Sequence, residues 1–224
     1  MELDGLFLDL YGTLTTGDRD AIEGVCTDIV RDSAVSISPY ELSVTWGERF
    51  FNFLDFCNGD DFMNLFEVEL KTLRETMTSL GAEIDPHPYC IKLQQYWRNP
   101  PLHEDAKPFL DDCRYPVCIV SNADQLDAED VLAKHGIKVD HLVTSESAKS
   151  YKPDRGIFET ALTQTGWRRE RVMHVGDSLH SDIGGAIVAG LRNVWLNRAH
   201  RIHDIGTHEP DHEIEDLHGL TALL

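Results

Sequence analysis

The sequence predicts an α/β protein, in which a doubly wound parallel sheet carries an inserted all-helical cap domain. Short apolar runs alternate with helical patterns in residues 1–14 and 101–224, and strands that alternate with helices of this length form parallel sheets. Residues 15–100 instead contain apolar side chains at helical spacing and no strand-like run. We therefore predict a core domain of residues 1–14 and 101–224, interrupted by a cap domain of residues 15–100.

The core elements follow from these runs. Residues 6–8, 117–120, 172–175 and 194–196 are short, apolar and predicted to be strands. Helical patterns at residues 127–135, 157–165 and 182–189 each stop before a glycine, at Gly136, Gly166 and Gly190. A glycine just after the last periodic residue is typical of a helix end.

The cap helices are predicted from apolar periodicity within residues 22–30, 42–54 and 62–77, with Pro86, Pro88, Pro100 and Pro101 marking the far end. Such an insertion would lie over the carboxyl edge of the sheet as a lid. Its aromatic residues either form the core of a helical bundle or face a substrate; candidates for substrate selection are Trp46, Phe50, Phe53 and Asn52.

Net charge, apolar content and cysteine count argue against several classes of protein and partner. The formal charge of −19 over 224 residues argues against nucleic acid and anionic membrane as partners, because both need a basic face. No stretch approaches the roughly 18 apolar residues of a membrane helix, and the amino terminus lacks a signal-peptide pattern. Five cysteines without a CxxC pair fit free thiols in a cytoplasmic protein. We expect a small-molecule substrate and a monomer or homodimer.

Four polar motifs stand where sheet strands end. Asp9 closes the first strand, Ser121-Asn122 follows the second predicted strand, Lys152 precedes a helix, and Gly176-Asp177 begins a segment that runs to Asp182. A carboxylate at the carboxyl end of a buried strand is how an open α/β sheet presents a nucleophile. Four late histidines, His200, His203, His208 and His212, fit no metal-binding spacing and are expected in polar loops.

These motifs, in this order, resemble those of the haloacid dehalogenase-like hydrolase superfamily, and specifically its members with a helical cap after the first motif. The resemblance implies that Asp9 is the nucleophile and that Mg²⁺ is held by Asp9, Asp177 and the backbone carbonyl of Tyr11. Asp182 would act around these ligands or through water, or serve as a helix N-cap. Hydroxyl, amide and ammonium groups for the transferring group would come from Thr13, Ser121, Asn122 and Lys152.

Tyr11 makes the reaction ambiguous. Phosphatases of this superfamily carry a second aspartate two residues after the nucleophile, and a phenol with a pKa near 10 is a poor replacement for that acid and base. The 2-haloacid dehalogenases carry tyrosine there, since halide leaves without a proton. They work without metal, have a Ser-x-Asn-x-x-Asp fourth motif, and bind halide with a cap arginine. Arg49 is a possible donor, or simply a solvent-facing residue.

Gly176-Asp177-Ser178 is a metal-site pattern, and two carboxylates close to Asp9 would repel one another without a cation. We therefore expect a Mg²⁺-dependent hydrolase that acts on a small phosphorylated metabolite through an aspartyl-phosphate intermediate. The alternatives are a metal-independent 2-haloacid dehalogenase and a non-catalytic phosphate-binding descendant.

Overall fold

The computed structural model describes residues 2–33, 35–201 and 208–224. Six parallel strands form one sheet in the order β3-β2-β1-β4-β5-β6. This confirms the predicted fold class. The strands are β1 (Gly5–Leu8), β2 (Val117–Ser121), β3 (His141–Thr144), β4 (Val172–Gly176), β5 (Arg192–Leu196) and β6 (His212–Ile214).

The two edge strands β3 and β6 were not predicted. The other four strands are almost entirely buried, whereas β3 is half-buried at its first two residues and β6 buries Ile214 alone. An edge strand is covered on fewer sides, so its sequence carries less of the apolar signal.

Ten helices occur in the described residues. Those before β2 are α1 (Asp18–Ser33), α2 (Pro39–Leu54), α3 (Leu65–Ser79), α4 (His87–Trp97) and α5 (Ala106–Asp112). Those after β2 are α6 (Gln125–Lys134), α7 (Ser145–Ala148), α8 (Arg155–Thr165), α9 (Gly185–Ala189) and α10 (Leu217–Leu223).

Glycine ends α8 and α9 as expected. Gly166 and Gly190 have φ values of +69° and +68°, the left-handed conformation that a side chain disfavours. The helix predicted over residues 182–189 is wound differently: a π-helical turn, Leu179–Gly184, precedes α9.

Helices α1 to α4 pack on one another around a shared apolar core, which contains Ile29, Leu42, Trp46, Leu73 and Leu93. Two of the prolines that were predicted to mark the far end of the helical region lie at the start of α4. Pro86 and Pro88 do not end the helical region, because they flank the first residue of α4, where the fixed φ of proline is well tolerated. The capping boxes Ser38/Glu41 and Asn64/Glu67 fix the starts of α2 and α3.

The chain passes between these four helices and the sheet twice, at neighbouring points. Thr15 pairs with Leu102 in an isolated bridge, and the Thr16 amide donates to the Pro101 carbonyl at 2.9 Å. Within the described residues, every helix is too short or too polar to cross a bilayer.

Candidate active site

Parallel topology brings the predicted residues to one edge of the sheet. Strand β1 lies between β2 and β4, so Asp9, Ser121 and Asp177 follow or end three adjacent strands whose carboxyl ends coincide. Lys152 lies in the loop between α7 and α8. The sequence prediction that these motifs share one site agrees with this placement.

Lys152 forms ion pairs with two carboxylates of the site. Its Nζ is 2.6 Å from Asp9 Oδ1 and 2.6 Å from Asp182 Oδ1, and all three side chains are buried. Burial acts to lower the pKa of Lys152, but Asp182 and Asp9 raise it to about 12. The group is therefore an ammonium ion at neutral pH. Ser121 adds a hydroxyl that donates to Asp9 Oδ1 at 3.0 Å.

Asp182 is fixed on both of its oxygens. Oδ1 also lies 2.9 Å from His174 Nε2, and Oδ2 accepts from the Ser178 amide at 3.0 Å. Burial acts to raise the pKa of Asp182, but Lys152 and His174 hold it well below its usual range. The N-cap interpretation of Asp182 is wrong, since Ser178 caps this turn by accepting from the Ser181 amide.

Asp177 completes a cluster of carboxylates. Asp9, Asp177 and Asp182 each place an oxygen within 4.8 Å of the others. Burial, and then the charges of Asp182 and Asp9, raise the pKa of Asp177 to about 8. Arg201 reaches its Oδ2 only at 3.5 Å from the solvent side. The cationic partner of Asp177 is therefore more distant and more exposed than the Lys152 ammonium group, which lies 2.6 Å from Asp9 and from Asp182.

Gly12 allows Asp177 to approach the loop that follows Asp9. A Cβ atom at position 12 would lie 2.8 Å from Asp177 Oδ1, and Gly12 has φ of +82°. Both the space and the backbone conformation therefore require glycine here. The carboxylates offer the oxygen ligands that Mg²⁺ prefers, so the donor set fits a hard divalent cation. A contribution from the Tyr11 carbonyl stays a prediction.

The side chain of Asn122 forms two hydrogen bonds to the backbone of Lys152. Its Nδ2 donates to the Lys152 carbonyl at 3.0 Å, and its Oδ1 accepts from the Lys152 amide at 2.8 Å. This pair of hydrogen bonds fixes the backbone that carries the ammonium group. The predicted substrate contact of Asn122 stays a prediction, although the residue does line the cavity.

The hydroxyl groups of Thr13 and Tyr11 form no hydrogen bond to the carboxylates of the site or to Lys152. The Thr13 hydroxyl is fully buried, has no hydrogen-bond partner among the described residues, and lies outside the cavity lining. The Tyr11 hydroxyl donates to the Trp97 carbonyl at 2.8 Å. Burial raises the pKa of Tyr11 above its usual value, so the phenol stays protonated and serves as a contact to α4.

A cavity of about 550 Å³ lies above this cluster. The side of the cavity that is formed by helices α1 to α4 is mainly apolar and includes Trp46, Phe50, Phe51 and Trp97. Trp46 and Phe50 were candidates for substrate selection, whereas the other two candidates, Phe53 and Asn52, do not line the cavity.

Arg49 also lies outside the cavity lining. Its Nε donates to Thr76 Oγ1 at 3.2 Å, and it lies 3.8 Å from Glu75. The predicted alternative of a halide-binding Arg49 is therefore not supported by its position. Among the late histidines, His200, His208 and His212 are exposed, and His203 lies outside the described residues. The loop prediction is wrong for His212, which is the first residue of β6.

Sequence reasoning missed the groups that join the helices to the sheet. Asp124 accepts from the Leu65 and Phe66 amides at 2.6 and 3.0 Å, at the start of α3. Arg98 pairs with Asp127 at 2.7 Å. A carboxylate that accepts from the first amides of a helix is favourable. Asp124 and these amides are more than 50 residues apart in the chain, so no local pattern signals the contact.

The chain is similar in sequence to several known proteins. The sequence model of a family described as haloacid dehalogenase-like hydrolase matches residues 3–190. The (S)-2-haloacid dehalogenase of Pseudomonas sp. (strain YL) is 25% identical over 229 residues, covering 99% of this chain and 94% of that protein. Pyrimidine 5'-nucleotidase YjjG of Escherichia coli (strain K12) is 45% identical over 86 residues, 38% of each chain.

Among solved structures, the HAD-hydrolase YfnB from Bacillus subtilis, bound to magnesium, has a TM-score of 0.81. It is 19% identical, and the alignment covers 100% of this chain and 99% of that one. At this identity the likeness shows the fold.

Proposed function

Because this chain belongs to the haloacid dehalogenase-like hydrolases, we propose that it hydrolyses small phosphate monoesters with the help of a divalent cation, Mg²⁺, and with Asp9 as the nucleophile. One observation carries the proposal. Three carboxylates have oxygens within 4.8 Å of one another, and Lys152 is paired with two of them. A divalent cation beside Asp177 would relieve the burial and repulsion that raise the pKa of this carboxyl to about 8.

The residues of this chain supply the rest of the chemistry. Asp9 Oδ1 is held by Lys152 and Ser121, while no described residue donates a hydrogen bond to Oδ2. A free carboxylate oxygen can attack phosphorus and form an aspartyl phosphate, which water then hydrolyses. When bound, the cation would neutralise the phosphoryl oxygens, whose charge otherwise opposes attack by a carboxylate. Lys152 would contribute a fixed positive charge at the same place.

A 2-haloacid dehalogenase is the second candidate, and the full-length relatives favour it. The Pseudomonas relative, which aligns over 99% of this chain, is named a dehalogenase, and Tyr11 suits a reaction in which halide leaves without a proton. In this reaction Asp9 would attack the halogen-bearing carbon. Two features oppose it: Asp177 adds a third carboxyl group that a metal-free reaction does not need, and Arg49 lies outside the cavity lining.

The cavity offers two other arginines for halide among its described lining, Arg19 and Arg201. Arg19 is 76% exposed and paired with Glu23. Arg201 is half-exposed and lies against Asp177. A halide ion next to either would compete with an existing carboxylate partner, which weakens the dehalogenase interpretation further.

The test measures both reactions on the same preparation. We expect hydrolysis of p-nitrophenyl phosphate that requires Mg²⁺ and stops with EDTA, and no chloride release from (S)-2-chloropropionate. Asp9→Asn should abolish turnover, and Asp177→Asn should lower it by about 10²-fold or more, because it removes a ligand that the cation needs. The matched control is Asp112→Asn, a solvent-exposed aspartate at the end of α5, which should keep full activity.

Two results would refute the proposal. Chloride release that persists in EDTA and in Asp177→Asn, without phosphatase activity, would establish the dehalogenase. Binding of inorganic phosphate without turnover of any ester in a broad panel would establish a phosphate-binding protein.

A further inference from the structure

The proposed phosphatase has Tyr11 at the position where phosphatases of this superfamily carry a second aspartate as proton donor. Departure of an alcohol from phosphorus needs a proton, and general acid help is typically worth about 10²–10⁴-fold. Tyr11 cannot supply it, since its hydroxyl is committed to the Trp97 carbonyl. No histidine occurs among the described residues that line the cavity, so a carboxyl group must do this if any side chain does.

Most carboxyl groups of the cavity lining are already engaged. Asp124 accepts backbone amides on both of its oxygens, and Asp127 is paired with Arg98 at 2.7 Å. Glu23 is paired with Arg19 at 3.0 Å on the surface.

Glu69 is enclosed: Trp97 Nε1 donates to one of its oxygens, and its other oxygen is buried out of reach of water. Asp9, Asp177 and Asp182 form the cation cluster. Of the described lining carboxyls, this leaves Asp18.

Asp18 has the environment that proton transfer requires. It is the first residue of α1, only nine positions after Asp9, and it lines the same cavity while remaining partly accessible. Tyr96 contacts its Oδ1 at 2.6 Å, and no described residue bonds to Oδ2. Burial, supported by the charge of Asp9, raises the pKa of Asp18, although the Tyr96 hydrogen bond opposes this.

Tyr96 can serve Asp18 in both protonation states. The phenol oxygen is 2.6 Å from Asp18 Oδ1 and 2.8 Å from the Thr16 carbonyl oxygen, yet a phenol has one hydrogen to donate. With Asp18 ionised, Tyr96 donates to the carboxylate. With Asp18 protonated, the carboxyl donates to the phenol oxygen while Tyr96 donates to Thr16. The Asp18 carboxyl therefore keeps a hydrogen bond to Tyr96 in both states, and the Thr16 carbonyl accepts from Tyr96 when Asp18 is protonated.

We propose that Asp18 is the general acid and base of phosphoryl transfer in this protein, a role that rests on the proposed phosphatase function. In the first step an oxygen of Asp9 attacks phosphorus, the bond from phosphorus to the ester oxygen breaks, and the Asp18 carboxyl gives its proton to that oxygen. In the second step Asp18 takes a proton from water as the water attacks phosphorus, and the bond from phosphorus to Asp9 breaks. The products are the alcohol and inorganic phosphate.

Leaving-group dependence tests this role. An alkyl ester such as 2-phenylethyl phosphate needs a proton donor, whereas p-nitrophenolate leaves unaided. Asp18→Asn should lower kcat/KM for the alkyl ester by about 10²–10³-fold and change kcat/KM for p-nitrophenyl phosphate less than about fivefold. The kcat for p-nitrophenyl phosphate should fall, with a burst of p-nitrophenolate, because the second step has lost its base.

The matched control is Asp20→Asn, an exposed residue on the same turn of α1, which should leave both substrates within about twofold of wild type. Tyr96→Phe should affect the alkyl ester more than the aryl ester. Equal losses of kcat/KM on both esters in Asp18→Asn, or no loss on either, would overturn the inference while leaving the phosphatase in place. Absence of Mg²⁺-dependent turnover in the wild type would remove both proposals.

Discussion

Replacing Lys152 with methionine is expected to lower the free energy of unfolding by about 3–5 kcal/mol near pH 8 in the presence of EDTA. The ammonium group is the shared partner of Asp9 and Asp182, whose side chains are 7% and 2% exposed. Removing one partner of a buried ion pair costs about 3–5 kcal/mol, because the remaining charge stays buried. Methionine keeps most of the volume, so the loss reports charge rather than a cavity.

Asp182 keeps its contacts with His174 and the Ser178 amide in this variant, which limits the loss. In a protein of this size each kcal/mol lowers Tm by about 2–4 °C, so a loss of about 4 kcal/mol corresponds to about 8–16 °C. Urea unfolding followed by tryptophan fluorescence measures it. Lys107→Met is the control: Lys107 and its partner Asp111 are 40% and 60% exposed, so we expect a change within about 0.5 kcal/mol.

The pH dependence of the loss has a definite sign. In the wild type, Lys152 and His174 hold the pKa of Asp182 low against burial, which adds stability above the unfolded pKa of about 3.9. In the variant, the folded-state pKa values of Asp9 and Asp182 rise, so stability is lost as the pH rises through them. The first effect is complete above about pH 5, so the second effect alone widens the difference between the two proteins from pH 5 to pH 8. A difference that is absent at pH 8, or constant across this range, would show that Lys152 does not stabilise the buried carboxylates.

Two further predictions concern Tyr11 and Glu69. Tyr11→Phe removes a single hydrogen bond to the Trp97 carbonyl, so we expect a stability loss of about 0.5–1.5 kcal/mol and a kcat/KM for p-nitrophenyl phosphate within about threefold of wild type; a loss of 10²-fold would show that the phenol takes part in the reaction. Burial raises the pKa of Glu69 from 4.5 to about 8, so the stability of its neutral form is complete below pH 4.5 and is lost as the pH rises through 8. Relative to wild type, Glu69→Gln should therefore gain up to about 4 kcal/mol in unfolding free energy between pH 4.5 and pH 8.5, with the exposed Glu83→Gln as a control that shows no such gain.

The sequence predicted the sheet and the place of the site because both follow from where chemistry-bearing residues stand relative to strands. Asp9, Ser121 and Asp177 belong to adjacent parallel strands, and topology alone brings such residues to one edge. The domain boundaries at residues 14/15 and 100/101 stay a prediction, although the two chain crossings do lie side by side at Thr15 and Leu102.

The roles of individual side chains could not be predicted in the same way, because they depend on the direction in which each side chain points in the folded protein. Asn122 and Tyr11 stand in the expected loops, yet one fixes the Lys152 backbone and the other contacts α4. His174 lies within β4, where alternate residues face opposite sides, and only the packed structure shows that it reaches Asp182. Glu69 belongs to a helix far from the motifs in sequence, and its burial beside Trp97 is a product of tertiary packing.

Four residues at the carboxyl end of β2, from Ser121 to Asp124, contact Asp9, Lys152 and the start of α3. Ser121 touches Asp9, Asn122 fixes Lys152, and Asp124 accepts the first amides of α3. Any movement of α3 away from the sheet must break the bonds of those amides to Asp124, and it would act on the short segment that also carries Ser121 and Asn122. Substitutions at Asp124 should therefore disturb the positions of Asp9 and Lys152 as well as the start of α3.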